Sequence, residues 1–223
     1  MIEKAKQYAI NCHNETLHKY DGKPYETHLQ MVFDTAKKFI HLIPAEHQEN
    51  VLAACWTHDV IEDCRQTYND VKNATNVVIA ELSYALTNEK GRSRKDRAND
   101  KYYDGIKQTP FATFIKVCDR IANYEYSKQQ GSKMSKVYED EMIDFCLKLY
   151  NPKYDELFNH LIHNKKIDIQ PIRFGRWLLK NAKEGWDGLA EKVYQDGLCW
   201  CYNGNYYQTN ELYEIFCDET KND

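Results

Sequence analysis

The sequence predicts an all-α fold: a helical bundle over residues 1–163, followed by a small C-terminal appendage over 164–223. Two observations carry this. Apolar residues recur at spacings of three and four from the start of the chain to about residue 163, as helices with one buried face require. No stretch in that region alternates apolar and polar residues as a half-buried strand would.

Taken in order, Met31, Val32, Thr35, Ala36, Phe39 and Ile40 mark an amphipathic helix. A second is expected from Glu46 to about Asp63, with Val51, Leu52, Cys55 and Trp56 turned inward. Val78, Ile79, Leu82 and Leu86 mark a third. Pro110 suits the first turn of another, which carries Phe111, Phe114, Ile115, Cys118 and Ile121. Val137, Glu141, Phe145 and Leu149 continue the series until Asn151-Pro152 breaks it, and Tyr154, Leu157, Phe158 and Leu161 form one more short helix. After residue 164 the texture changes. Trp177, Leu178, Trp186, Leu189 and Val193 suggest two short helices interrupted by glycines. The run Leu198–Tyr202, then Asn203-Gly204, then 205–209 reads as a β-hairpin on a tight Asn-Gly turn. This tail is expected to pack on the helical body. Its Trp and Tyr content fits a homo-oligomer interface and a packed appendage equally well.

Composition excludes several classes. With 223 residues, 42% hydrophobic and 29% charged, the chain has the balance of an ordinary soluble domain with one substantial core. A net charge of −4 argues against general nucleic-acid binding. No apolar run is long enough to span a bilayer, and the first residues lack the apolar core of a secretory signal. Eight cysteines invite a disulfide reading. Cys12, Cys55, Cys118 and Cys146, however, fall on expected helices as small buried hydrophobes, and no C-x-x-C pair occurs. A reducing, cytoplasmic setting is the expectation.

The chemistry-bearing residues are His28, His58-Asp59, Glu62-Asp63 and Asp119. Histidine and carboxylate ligands suit a borderline or hard divalent ion such as Mn²⁺, Fe²⁺, Zn²⁺ or Mg²⁺, and spare acids beside it suit hydrolysis. On a continuous helix His58 would sit above Glu62, and Asp59 above Asp63. Such a polar wall at the end of an apolar helix is costly without a compensating cation. Asp119 lies in the mostly apolar run Phe114–Ile121, so it either pairs with Lys116 or Arg120 or binds a metal. The segment Asn88–Arg97 carries five cations between the halves of this constellation, which makes it a candidate anion-facing loop.

These residues also carry a family resemblance. Asp21-Gly22-Lys23-Pro24-Tyr25-Glu26-Thr27-His28 resembles the G-x-P-Y-x-x-H segment of the RelA/SpoT-homologue hydrolases. His58-Asp59-Val60-Ile61-Glu62-Asp63 is similar to their H-D-x-x-E-D signature, and Cys118–Asn123 to their A-D-(R/K)-L-x-N segment. The motifs occur in the family's order over roughly residues 3 to 150, and no synthetase domain is recognisable. The chain thus resembles a stand-alone small alarmone hydrolase of the HD superfamily. That resemblance implies a helical HD fold, bound Mn²⁺, a nucleotide substrate, and removal of the 3′-pyrophosphate from ppGpp, pppGpp or ppApp. It implies His28, His58, Asp59 and Asp119 as metal ligands, and Glu62 and Asp63 as catalytic acids. Lys19, Lys23, Lys90 and Asn123 would contact substrate. Leu29 stands where the family has proline, and Lys19 falls near a family arginine that stacks on guanine. The competing readings are an HD-superfamily nucleotidase acting on another nucleotide, and an HD-like binding module that sequesters a partner such as a toxin. The presence of every ligand and both acids favours catalysis.

Overall fold

The computed structural model describes residues 1–88, 91–163, 190–194, 197–202 and 205–208. The chain divides into two compact units, Met1–Lys165 and Lys166–Asp223. The first is all-helical apart from one two-residue ladder. Its principal helices are α1 (Ile2–Glu15), α2 (Glu26–Phe39), α3 (Ala45–Thr57), α4 (Val60–Asp63), α5 (Tyr68–Ala74), α6 (Val77–Leu86), α7 (Arg94–Arg97), α8 (Asp100–Gln108), α9 (Ala112–Gln129), α10 (Met134–Leu149) and α11 (Asp155–His163).

Helix α9 is the axis of this unit. It packs against α2, α10, α11, α6, α8 and α3, and its Phe114, Ile115, Val117, Cys118, Ile121 and Tyr124 are buried. A helix that is buried around most of its circumference belongs in the centre of a bundle. Around it, α1 and α2 cover α3, and α3 lies against α6, where the buried hydroxyls of Thr57 and Ser83 meet at 2.8 Å. Five cysteines (Cys12, Cys55, Cys64, Cys118 and Cys146) are buried free thiols, as expected of four of them. Among the described residues no helix is long and apolar enough to cross a membrane.

Several expectations need correction. The helix expected from Glu46 to Asp63 is two helices: α3 ends at Thr57, and Asp59 at φ −102°, ψ −5° caps the single turn α4. Pro110 does not open α9. Phe111 precedes that helix in the left-handed region at φ 68°, its ring against His47 at 4.7 Å. Leu52 is only half-buried, whereas Val78 and Val137 are 39% and 37% exposed. On α10 the buried face is carried instead by Met142, Phe145, Cys146 and Leu149.

Residues 19–24, read as part of an all-helical region, contain a small ladder. Strands β1 (Lys19–Tyr20) and β2 (Lys23–Pro24) pair antiparallel, with Lys19 opposite Pro24 and Tyr20 opposite Lys23. Asp21 and Gly22 join them with φ of 51° and 77°, the two positive values a type I′ turn demands. In the second unit, β3 (Ala190–Tyr194), β4 (Gly197–Tyr202) and β5 (Asn205–Gln208) form an antiparallel sheet in the order β3-β4-β5. The expected pairing of β4 with β5 is present, Tyr202 opposite Asn205. Val193 lies in β3 rather than in a short helix, because its backbone is satisfied by the ladder to β4. Trp177, Leu178, Trp186 and Leu189 lie outside the described residues.

Phe114→Ala empties a fully buried site beside Tyr154 on the axial helix. It is expected to cost about 3–5 kcal/mol, read as a lowered midpoint in urea denaturation. A loss under about 1 kcal/mol would remove α9 from the centre of the core.

Candidate metal centre

Three separate segments deliver the constellation. His28 comes from the first turn of α2, whose N-cap is Tyr25. His58 and Asp59 occupy the turn between α3 and α4. Asp119 lies midway along α9, 8% exposed. His28, His58 and Asp119 each offer one ligand atom, all within 4.8 Å of one another. His28 Nε2 is 3.4 Å from His58 Nε2 and 3.4 Å from Asp119 Oδ1. Asp59 Oδ2 adds a fourth donor, 3.0 Å from His58 Nε2 and 3.4 Å from His28 Nε2.

The donor set fits a divalent cation. His58 Nδ1 lies 2.9 Å from the Cys55 carbonyl oxygen in the last turn of α3. A carbonyl only accepts, so Nδ1 carries the proton and the neutral ring turns a bare Nε2 lone pair inward. That lone pair faces the Asp59 carboxylate and a second imidazole nitrogen, an arrangement stable only around a proton or a metal ion. Without a cation the histidines hold protons. Burial depresses the His28 pKa, but hydrogen bonds to Asp119 and Asp59 outweigh it and raise the pKa to about 9. His58 is raised in the same sense, burial opposing and Asp59 prevailing.

The carboxylates stay ionised for matching reasons. Burial pushes Asp119 up, yet the Lys116 ammonium and the two imidazoles hold it well below the usual carboxylate range. Lys116 Nζ donates to Asp119 Oδ2 at 3.0 Å, leaving Oδ1 toward the histidines. Asp119 therefore both pairs with a lysine and faces the centre. The sequence presented these as alternatives; two oxygens allow both. Asp59 is likewise held low, burial being outweighed first by His58 and then by His28.

The remaining candidates fall into separate places. Glu62 turns to the end of α6: its Oε1 accepts from Asn88 Nδ2 at 2.9 Å and its Oε2 from the Asn88 backbone N–H at 3.1 Å. It does not stack on His58, because both its oxygens are turned to Asn88. Asp63 Oδ2 lies 3.6 Å from His18 Nδ1. Burial, then the Asp59 and Glu62 charges, push its carboxyl up to about 7. Asn123 donates to Asp119 Oδ1 at 2.5 Å and accepts from Tyr20 Oη at 2.9 Å. Lys19 and Lys23 sit exposed on the hairpin, Lys23 Nζ 5.1 Å from the Tyr126 ring centroid. Lys90 lies outside the described residues. Of the loop cations, Arg94 is committed to Glu141 through Nε at 2.8 Å and Nη2 at 3.2 Å, and Arg92 and Arg97 are exposed.

Sequence reasoning missed His13, His18, and the hydroxyls of Tyr20 and Tyr25. Tyr25 Oη donates to Asp59 Oδ2 at 2.6 Å, with burial and that carboxylate raising its pKa so that the proton stays on the phenol. The signal for the hairpin was present as Asp21-Gly22. For His13 and His18 there was none beyond their five-residue spacing across the end of α1.

The sequence matches no protein-family profile. Among solved structures the chain is similar to a metazoan orthologue of SpoT that hydrolyses ppGpp and plays a role in starvation responses. The likeness covers 74% of this chain and 95% of that one, with a TM-score of 0.54 and 18% sequence identity. It establishes a shared fold.

Asp119→Asn keeps the shape of the side chain and removes its charge. It is expected to abolish stoichiometric Mn²⁺ uptake in equilibrium dialysis. Unchanged metal content would take Asp119 out of the ligand set.

Proposed function

We propose that the protein is a metal-dependent hydrolase that removes the 3′-pyrophosphate from an alarmone nucleotide, ppGpp, pppGpp or ppApp, with Mn²⁺ as the working cation. The observation that carries this reading is the convergence of His28, His58, Asp59 and Asp119, followed on α4 by two further acids. The shared fold and the three motifs, in order, support the substrate class.

In this reading His28, His58, Asp59 and Asp119 hold the cation. When bound, it polarises the phosphoryl group and lowers the pKa of water. The residues supply the rest. Water attacks phosphorus, the bond to the 3′ oxygen breaks, pyrophosphate leaves, and the 3′ oxygen ends as a hydroxyl. The proton released by water needs a carboxylate within reach. Glu62 is assigned that task from its place in the motif, and two donors from Asn88 fix the plane of its carboxylate. Asp63, whose carboxyl is raised by burial and by the Asp59 and Glu62 charges, suits the step that returns a proton to the leaving oxygen. Lys19 and Lys23 lie on the hairpin that precedes His28 and offset phosphate charge; Lys90 is assigned the same role from its sequence position.

Two experiments test the reading. Mn²⁺-loaded protein is expected to release pyrophosphate from ppGpp or ppApp and nothing from nucleoside monophosphates. Orthophosphate from monophosphates alone would make it a nucleotidase, and no turnover with intact metal binding would favour the binding module. Glu62→Gln is expected to keep its metal while losing about 10²–10⁴-fold in turnover, measured by pyrophosphate release. Full activity would remove Glu62 from the chemistry.

A further inference from the structure

Two tyrosines of one short hairpin reach two different carboxylates of the centre. Tyr20 ends β1, before the Asp21-Gly22 turn, and Tyr25 follows β2 as the N-cap of α2. Tyr25 Oη donates directly to Asp59 Oδ2 at 2.6 Å. Tyr20 Oη donates to Asn123 Oδ1 at 2.9 Å, and Asn123 Nδ2 donates in turn to Asp119 Oδ1 at 2.5 Å. The first bond decides how the amide lies: an oxygen that accepts from Tyr20 leaves the NH₂ for the carboxylate.

Each ring is itself held. His13 and His18 pack side by side against the Tyr25 ring, centroids 4.2 Å and 4.1 Å away and both planes within 18° of its own. The two histidines meet through Nδ1 atoms 3.1 Å apart. His13 is 1% exposed, and its Nε2 has no hydrogen-bond partner among the described residues. Leaving a buried polar atom unmet costs free energy, so His13 sits there at some expense to the fold. Its ring contacts are to the His18 and Tyr25 rings. Tyr20 lies over His28 at 4.9 Å and 22°. Tyr126 Oη donates to Asp21 Oδ2 at 2.9 Å and ties the turn itself to α9.

We propose that the hairpin of residues 19–25 is a clasp that presets both carboxylates of the metal centre, with Tyr20 and Tyr25 as positioning residues. A carboxylate is free to rotate about its terminal bond, and a cation that binds must stop that rotation. A donor already on each carboxylate stops it beforehand, so cation binding loses less free energy to ordering. The inference rests on the metal centre proposed above and is independent of the substrate.

Tyr25→Phe and Tyr20→Phe keep both rings and their stacking and remove one hydroxyl each. Mn²⁺ affinity of the full chain is measured by chelator competition, with the fold checked by circular dichroism at the same temperature. Tyr25→Phe is expected to weaken binding about 10–100-fold. Tyr20→Phe, acting through Asn123, is expected to weaken it less, in the same direction. Tyr8→Phe is the control, because that hydroxyl donates to Gln66 and to no residue of the centre; its affinity is expected to match wild type. Wild-type affinity in a folded Tyr20 or Tyr25 variant overturns the two-armed clasp, and so does equal weakening in Tyr8→Phe. A wild-type chain that takes up no Mn²⁺ overturns the metal centre itself, a failure visible before any variant is made.

Discussion

Keeping two carboxylates ionised inside a helical core is the constraint on which the rest of this structure depends. Moving one carboxylate out of water costs several kcal/mol even after relaxation, and Asp59 and Asp119 face the same pair of imidazoles. The surroundings answer that cost oxygen by oxygen. Lys116 takes one oxygen of Asp119 and Asn123 the other, while Tyr25 takes Oδ2 of Asp59. The carboxylates of the centre are therefore well supplied with donors and still present oxygens toward the two imidazoles. A site of that kind is built to receive positive charge.

The break between α3 and α4 follows from the same demand. In a continuous helix neighbouring residues point about 100° apart, so His58 and Asp59 would aim at different surroundings. Ending α3 at Thr57 frees them to converge, with His58 Nε2 and Asp59 Oδ2 3.0 Å apart. It also leaves the Cys55 carbonyl at a helix end, where His58 Nδ1 takes it up as a hydrogen-bond partner. One interruption thus supplies both the direction of the histidine and its protonation pattern.

The helical class and most of the core were readable because periodicity reports burial: Phe114, Ile115, Phe145, Leu157 and Leu161 all lie where their spacing puts them. The four candidate ligands were readable because their residue types are expensive in apolar company. The α3–α4 interruption was not, since Val60 and Ile61 continue the helical pattern. Nor were the roles of Tyr20 and Tyr25. Among 17 tyrosines, no local feature separates a positioning phenol from one that merely packs. His13 and His18 acquire meaning only once α1 is laid beside the hairpin. Asp21-Gly22 was legible, but a turn without flanking alternation gave too little to outweigh the helical pattern around it.

A likeness of 0.54 in TM-score at 18% identity carries the backbone and leaves recognition to this chain's own side chains. In the proposed reading a nucleotide has a base and a set of phosphates to be gripped, and the described residues treat them unequally. Stacking on a base needs a free planar face. Tyr25 is buried with His13 and His18 against its ring, and Tyr20 packs on His28 and Tyr126. Lys19 brings a compact ammonium, which meets phosphate well and stacks poorly. Recognition by the described residues therefore rests on charge and the metal centre more than on the base. In that reading the chain is expected to separate a 3′-pyrophosphate from a monophosphate more sharply than it separates guanine from adenine.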